Sequence, residues 1–277
     1  MVSETNLPAV IYPADLGDED IPHWSPAQLF SLWLLVALPM AGLSLGLAPF
    51  LVARLPDLNP GLIYWGTIIA GMAWQTAVAL GVLYWEGQAR TGEALRRSLW
   101  LIAPRIPGTS KPSWGVLLGI VPLGIALVFI LGAAFGSLDS LLAARLPEWM
   151  APTYGDITSL ATAENTGNWN LLWIALLSSL FNYVLGEAFF FHGILLPRMV
   201  RTFGGRGWIV NAVAFAAYHS HKAPYLPTIL LSCLVYALSA HVTRSSWPAV
   251  LIHGFEGLIL IGVVIFVVLG GMPADPS

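Results

Sequence analysis

Seven long stretches of this chain are almost free of charge, and their lengths suit a lipid environment. They run approximately over Leu29 to Val52, Leu62 to Tyr84, Trp114 to Phe135, Trp169 to Pro197, Trp208 to His221, Leu226 to Val242 and Trp247 to Leu269. A helix needs roughly 20 mainly apolar residues to cross about 30 Å of hydrocarbon. The sequence therefore predicts an all-α, polytopic transmembrane helical bundle of seven to eight spans around a cavity. The fifth stretch is short. The uncharged interval between Arg206 and Lys222 would reach only about 22 Å as a helix. Either Lys222 snorkels, or the helix ends early against a water-filled cavity.

Lysine and arginine in short connections set the orientation of such a bundle. Arg90, Arg96, Arg97, Arg105 and Lys111 fall between spans two and three, Arg198, Arg201 and Arg206 after span four, and Arg244 after span six. Nine of the twelve basic residues thus lie on one side, against Arg54, Arg145 and Lys222 on the other. The richer side is expected to be cytoplasmic, with the amino terminus on the cytoplasmic side of the cell membrane and the cavity open to the cytoplasm. A re-entrant piece or eighth span around Ser98 to Ile106 would reverse the parity. Residues 1–27 hold no Lys or Arg and carry Glu4, Asp15, Asp18, Glu19 and Asp20. They lack the positive start of a cleavable signal and are expected to form a loosely ordered leader. The rest divides into one membrane domain over 28–271, with its motif-bearing core at 168–269, and a short tail over 272–277. Asp139 to Gly167 reads as an extracytoplasmic loop, and no internal repeat of the kind that builds transporters is present.

Composition removes other classes. With 57% hydrophobic and 10% charged residues and a mean hydropathy of +0.74, the chain has more apolar surface than one soluble core hides. A net charge of -3 provides no basic stripe for nucleic acid. The lone Cys233 forms no internal disulfide and no cysteine metal cluster.

An ionisable group inside a span costs at least about 2.5 kcal/mol on insertion scales and is a functional hypothesis by default. The spans contain Glu187 with its neighbour His192, His219, and the pair His253 and Glu256. Counting from the basic ends, Glu187 lies about 16 Å deep, His219 about 16 Å and His253 about 9 to 14 Å. Three helices thus present a carboxylate and two imidazoles at a similar level. Glu187 can take a proton from water while His219 holds that water or shares the proton. His253 can donate to the oxyanion formed as a carbonyl becomes tetrahedral. The plainer readings differ by residue. For Glu187 the alternative is a buried carboxyl bonded to a neighbouring helix. His221 and His241 read as packing residues and His23 as interfacial. Phe189, Phe190 and Phe191 read as lipid-facing or core residues, and Gly186 and Gly193 as close helix contacts.

At these positions the sequence resembles the CAAX prenyl protease and bacteriocin-processing family of intramembrane glutamic endopeptidases. That family carries Glu-Glu-x-x-x-Arg, then Phe-x-x-x-His, then His-x-x-x-Asn. Here the first motif corresponds to Glu187 through Gly193, keeping the leading Glu and trailing Gly. The second is intact from Phe215 to His219, and the third keeps His253 and the upstream Trp247-Pro248. The resemblance covers roughly Asn168 to Leu269, and the basic Leu95 to Leu101 segment is also similar. It implies about eight helices around a conical cavity and hydrolysis of a membrane-proximal peptide or protein without cofactor or bound metal. Glu187 and His219 would activate water and His253 would stabilise the oxyanion, with His192, Phe215 and Glu256 as possible supporting residues.

The departures are coupled. The family's second Glu and its Arg lie four residues apart and would pair on one helix face. Both are replaced, by Ala188 and His192, so no unpartnered Arg is left behind. Gly257 stands in place of the third motif's Asn, removing a side-chain donor, and Glu256 is expected to pair with His253 three residues earlier. Two other readings follow from the same residues. One is a catalytically impaired relative acting as a membrane scaffold or substrate-binding protein. The other, ranked lower, is a metal-dependent membrane protease using Glu187, His219, His253 and Glu256 as ligands, although no His-Glu-x-x-His helix is present.

Overall fold

A computed structural model describes residues 21–87 and 92–271. The acidic cluster of the leader, Arg90 and the 272–277 tail lie outside the described residues. The fold is all-α, with no strand among the described residues beyond an isolated bridge between Arg105 and Pro112. The helices are α1 (Pro26–Arg54), α2 (Pro60–Trp85), a short α3 (Gly92–Ser98), α4 (Trp114–Ala143), α5 (170–203), α6 (Gly207–Tyr218), α7 (Leu226–Thr243) and α8 (Trp247–Val268).

Among the described residues, five helical runs are long and apolar enough to cross a membrane, and one of them, Asn170–Thr243, contains α5, α6 and α7. Two local breaks fold that run back on itself. Gly204 takes φ 61° between α5 and α6, and Lys222 leaves helical geometry (φ -112°, ψ 40°) between α6 and α7. Antiparallel packing follows: Asn211 Nδ2 on α6 donates to the Phe191 carbonyl on α5 at 2.9 Å, while Trp208 stacks on His241 of α7. The seven apolar stretches of the sequence thus correspond to α1, α2 and α4 to α8. The Ser98 to Ile106 segment forms no span. Ser246 Oγ donates to the Leu99 carbonyl, Ser245 Oγ to the Ile102 carbonyl, and the Arg105 amide to the Thr243 carbonyl.

Helix starts follow local chemistry. Ser25 caps α1 in a reciprocal box with Gln28, and the Asn59 side chain accepts the first amides of α2; proline occupies an early position in both, where its missing N–H leaves nothing unsatisfied. α4 presents Leu118, Leu123, Phe129 and Ile130 outward, as a lipid-facing helix does. The turn from α5 to α6 is tight enough that a Cβ at Gly207 would lie 2.5 Å from the Val200 backbone. Gly207→Ala is expected to destabilise the fold by about 1 to 3 kcal/mol through overpacking, read as an earlier unfolding transition in detergent; an unchanged transition would show that the turn is slack.

The bundle has two ends. One gathers residues 21–25, 86–87, 92–113, 198–207 and 241–246, including most of the basic residues. There Trp24, Glu86, Arg198 and Thr202 are joined by hydrogen bonds, and Ile21, only 1% exposed, is packed into the body. The other end holds 55–59, 144–169, 219–225 and 269–271, where the Gly167 amide donates to the Val268 carbonyl and Tyr225 to Asp156.

Candidate active site

α5 is not one regular helix. Its first part, Asn170–Ser179, widens into a π-helical segment over Leu180–Leu185, breaks at Gly186 (φ -95°, ψ -94°), and resumes as a second widened segment over Ala188–Leu195. A Cβ at Gly186 would come 3.1 Å from the Met72 carbonyl of α2, so glycine permits the backbone contact. Glu187 follows this break directly. Such π-turns redirect side chains and recur at functional sites.

The redirected carboxylate meets two imidazoles. Glu187 Oε2 lies 3.4 Å from His219 Nε2 and 3.9 Å from His253 Nε2. All three residues are buried, at 2%, 8% and 4% exposure. His219 ends α6, and its Nδ1 lies 2.9 Å from the Phe215 carbonyl. A carbonyl only accepts, so Nδ1 carries the proton. Nε2, facing Glu187, is then a lone pair in the neutral ring and an N–H in the cation. The Glu187–His219 pair is favourable with one proton shared between them, or with a water bridging both atoms.

His253 is positioned differently. Its Nδ1 has no hydrogen-bond partner among the described residues, and aromatic rings fix its plane. Tyr236 stacks on it at 5.1 Å, Tyr183 meets it edge-on at 4.9 Å, and Phe215 lies 5.5 Å away. His192 is fully buried in the same cluster, 6.3 Å from His253, with neither ring nitrogen hydrogen-bonded among the described residues. It fills space where the motif's arginine would stand. Phe215 contributes its carbonyl to His219 and its ring to Phe191, at 4.2 Å. Phe190 and Phe191 are completely buried, so this part of the triplet is core and not lipid-facing.

One expectation from the sequence is corrected. Glu256 does not pair with His253; it accepts a hydrogen bond from Tyr236 on α7, a partner across the helix interface that local spacing does not reveal. A space of about 420 Å³ is lined by Tyr64, Tyr154, Asp156, Tyr183, Lys222 and Glu256, toward the 144–169 and 219–225 connections, opposite the basic end. The early end of α6 at Tyr218 leaves the non-helical Lys222 lining the space instead of a further helical turn. Tyr183 and Tyr236 were missed in the sequence because each is one aromatic among many in apolar helices. His221 stacks on His219 at 5.6 Å, and its carbonyl accepts from Tyr64, supporting the site from behind. Among the described residues no group of three or more His, Cys, Asp or Glu is arranged to hold a metal ion.

The fold and the cluster together define a multi-pass, all-helical membrane protein with a buried carboxylate between two imidazoles. Residues 168–259 match a family model described as type II CAAX prenyl endopeptidase Rce1-like. This is a protease family, and the matched third of the chain contains α5, α6, α7 and the part of α8 bearing His253 and Glu256. No curated protein and no solved structure matches the chain.

Proposed function

We propose that the chain is an intramembrane glutamic endopeptidase hydrolysing a peptide bond near the membrane. One observation carries this reading: a single oxygen of Glu187 faces the Nε2 atoms of His219 and His253 within 4 Å, away from bulk solvent. In the proposed reaction, water held between Glu187 and His219 loses a proton to them as its oxygen adds to the peptide carbonyl. His253 donates to the resulting oxyanion through its protonated nitrogen. Collapse of the tetrahedral species re-forms the carbonyl and breaks the C–N bond, and the stored proton passes to the leaving amine. No metal or cofactor enters these steps.

The Rce1-like match supports peptide hydrolysis as the chemistry. The test is cleavage of internally quenched peptides, with and without a prenylated carboxyl-terminal cysteine, by the purified protein in liposomes. Wild type is expected to cut, and Glu187→Gln and His219→Ala each to lose about 10²- to 10⁴-fold in rate, the usual contribution of a positioned acid or base. Equal turnover in all three proteins would dispose of the proposal.

By the weight of its basic connections, we place the amino terminus and the basic end at the cytoplasm, which puts the 144–169 and 219–225 connections on the opposite face. A membrane-impermeant thiol reagent is then expected to label Tyr225→Cys in intact cells and to spare Arg97→Cys, both positions being exposed; the native Cys233 is buried. The reverse labelling pattern would invert the orientation.

A further inference from the structure

Gly257 follows His253 by one helical turn on α8, and the space beside it is taken. A Cβ at this position would lie 2.6 Å from Cδ2 and 2.9 Å from Cε2 of the Tyr183 ring. A side chain at 257 and the present position of Tyr183 therefore exclude each other. The same ring meets His253 edge-on at 4.9 Å.

Tyr183 also stands on a boundary. It lines the 420 Å³ space that Lys222 and Glu256 share, and it lines a second, apolar groove of about 720 Å³ between α4, α5 and α8. It occupies the widened segment Leu180–Leu185, four residues before Glu187. A substrate carbonyl attacked by water from the Glu187–His219 pair would meet His253 as one donor. Tyr183 packs both on His253 and over Gly257, and it carries an O–H.

We propose that the Tyr183 hydroxyl is a second oxyanion donor, acting beside His253 in the place left open by Gly257. Its role needs no proton transfer. As water adds, the carbonyl oxygen gains negative charge and accepts hydrogen bonds from His253 and Tyr183; on collapse the oxygen returns to a carbonyl and the donors are unchanged. This inference rests on the endopeptidase reading.

The test uses the full chain in liposomes and the quenched peptides above, with Glu187→Gln measured in parallel. Tyr183→Phe keeps the ring and its packing, so its melting transition should match wild type. Its kcat should fall about 10²- to 10³-fold, as on removal of one oxyanion donor, with KM little changed. Tyr183→Ala should lose rate similarly, and adding Gly257→Asn to it should restore at least about tenfold, because the vacated space then admits an amide donor. In the Tyr183 background, Gly257→Asn should instead disturb folding. A Tyr183→Phe enzyme with kcat within about twofold of wild type, while Glu187→Gln is inactive, overturns this inference and leaves the endopeptidase reading standing. Wild-type protein that cuts nothing, or a Glu187→Gln variant as fast as wild type, overturns both.

Discussion

The variant carrying both Glu187→Gln and His219→Ala is expected to cleave no more slowly than the slower of the two single variants. Each single change should cost about 10²- to 10⁴-fold. Independent contributions would multiply to about 10⁴- to 10⁸-fold. Groups that act as a unit do not multiply, because once one is gone the other has no assembled reaction to assist. The geometry makes these two a unit. Glu187 Oε2 and His219 Nε2 are 3.4 Å apart, and Phe215 holds the His219 ring with its other nitrogen protonated, so both groups address one water and one proton. Glu187→Gln suits the experiment because it preserves volume in a site at 2% exposure, while its amide cannot take up a proton. The measurement is kcat/KM for wild type, both singles and the double. A double variant slower by the product of the singles would show two groups working on separate steps, and the shared-water mechanism would fail.

The spans were legible because lipid imposes a coarse rule: a long stretch with few charges is a helix. The same rule exposed Glu187, His219 and His253, since an ionisable residue stands out only where the background is apolar. Counting rise per residue placed the three at one depth, and the structure brings their side chains together. The finer geometry left no such trace. The widened turns of α5 and the break at Gly186, where a Cβ would meet the Phe181 carbonyl oxygen first and that of Met72 at 3.1 Å, are backbone detail, and hydropathy does not record which helical turn is stretched. Glu256 was assigned to His253 by the rule for neighbours on a helix, but a phenol from another helix, Tyr236, lies closer to it. Arg198 was counted as a loop charge that orients the chain. In the fold it is fully buried, so a residue that serves as a topology signal is also part of the interior.

That buried arginine leads to the largest expected effect on stability. Arg198 lies near the end of α5, eleven residues after Glu187. Its Nε donates to Glu86 Oε1 at 2.9 Å, its Nη2 to Glu86 Oε2, and its Nη1 to the Ile194 carbonyl at 2.7 Å. Trp24 Nε1 donates to Glu86 Oε1 at 2.8 Å. Side-chain exposure is 0% for Arg198 and 3% for Glu86, so neither charge has water to fall back on. Arg198→Met keeps an unbranched apolar stem but strands the Glu86 carboxylate, and is expected to cost about 3 to 5 kcal/mol of unfolding free energy. Replacing both groups, with Glu86→Gln added to Arg198→Met, should recover much of that loss, because the penalty comes from the isolated charge more than from the missing attraction. Unfolding monitored in detergent micelles distinguishes these outcomes. A single variant within about 1 kcal/mol of wild type would mean that water reaches the pair and that it does not clamp α2, α5 and the 21–25 segment together. If the clamp holds, its loss should also lower cleavage without touching the chemistry. α5 is interrupted at Gly186, so the portion bearing Glu187 relies on tertiary contacts for its position, and Arg198 fixes the far end of that portion.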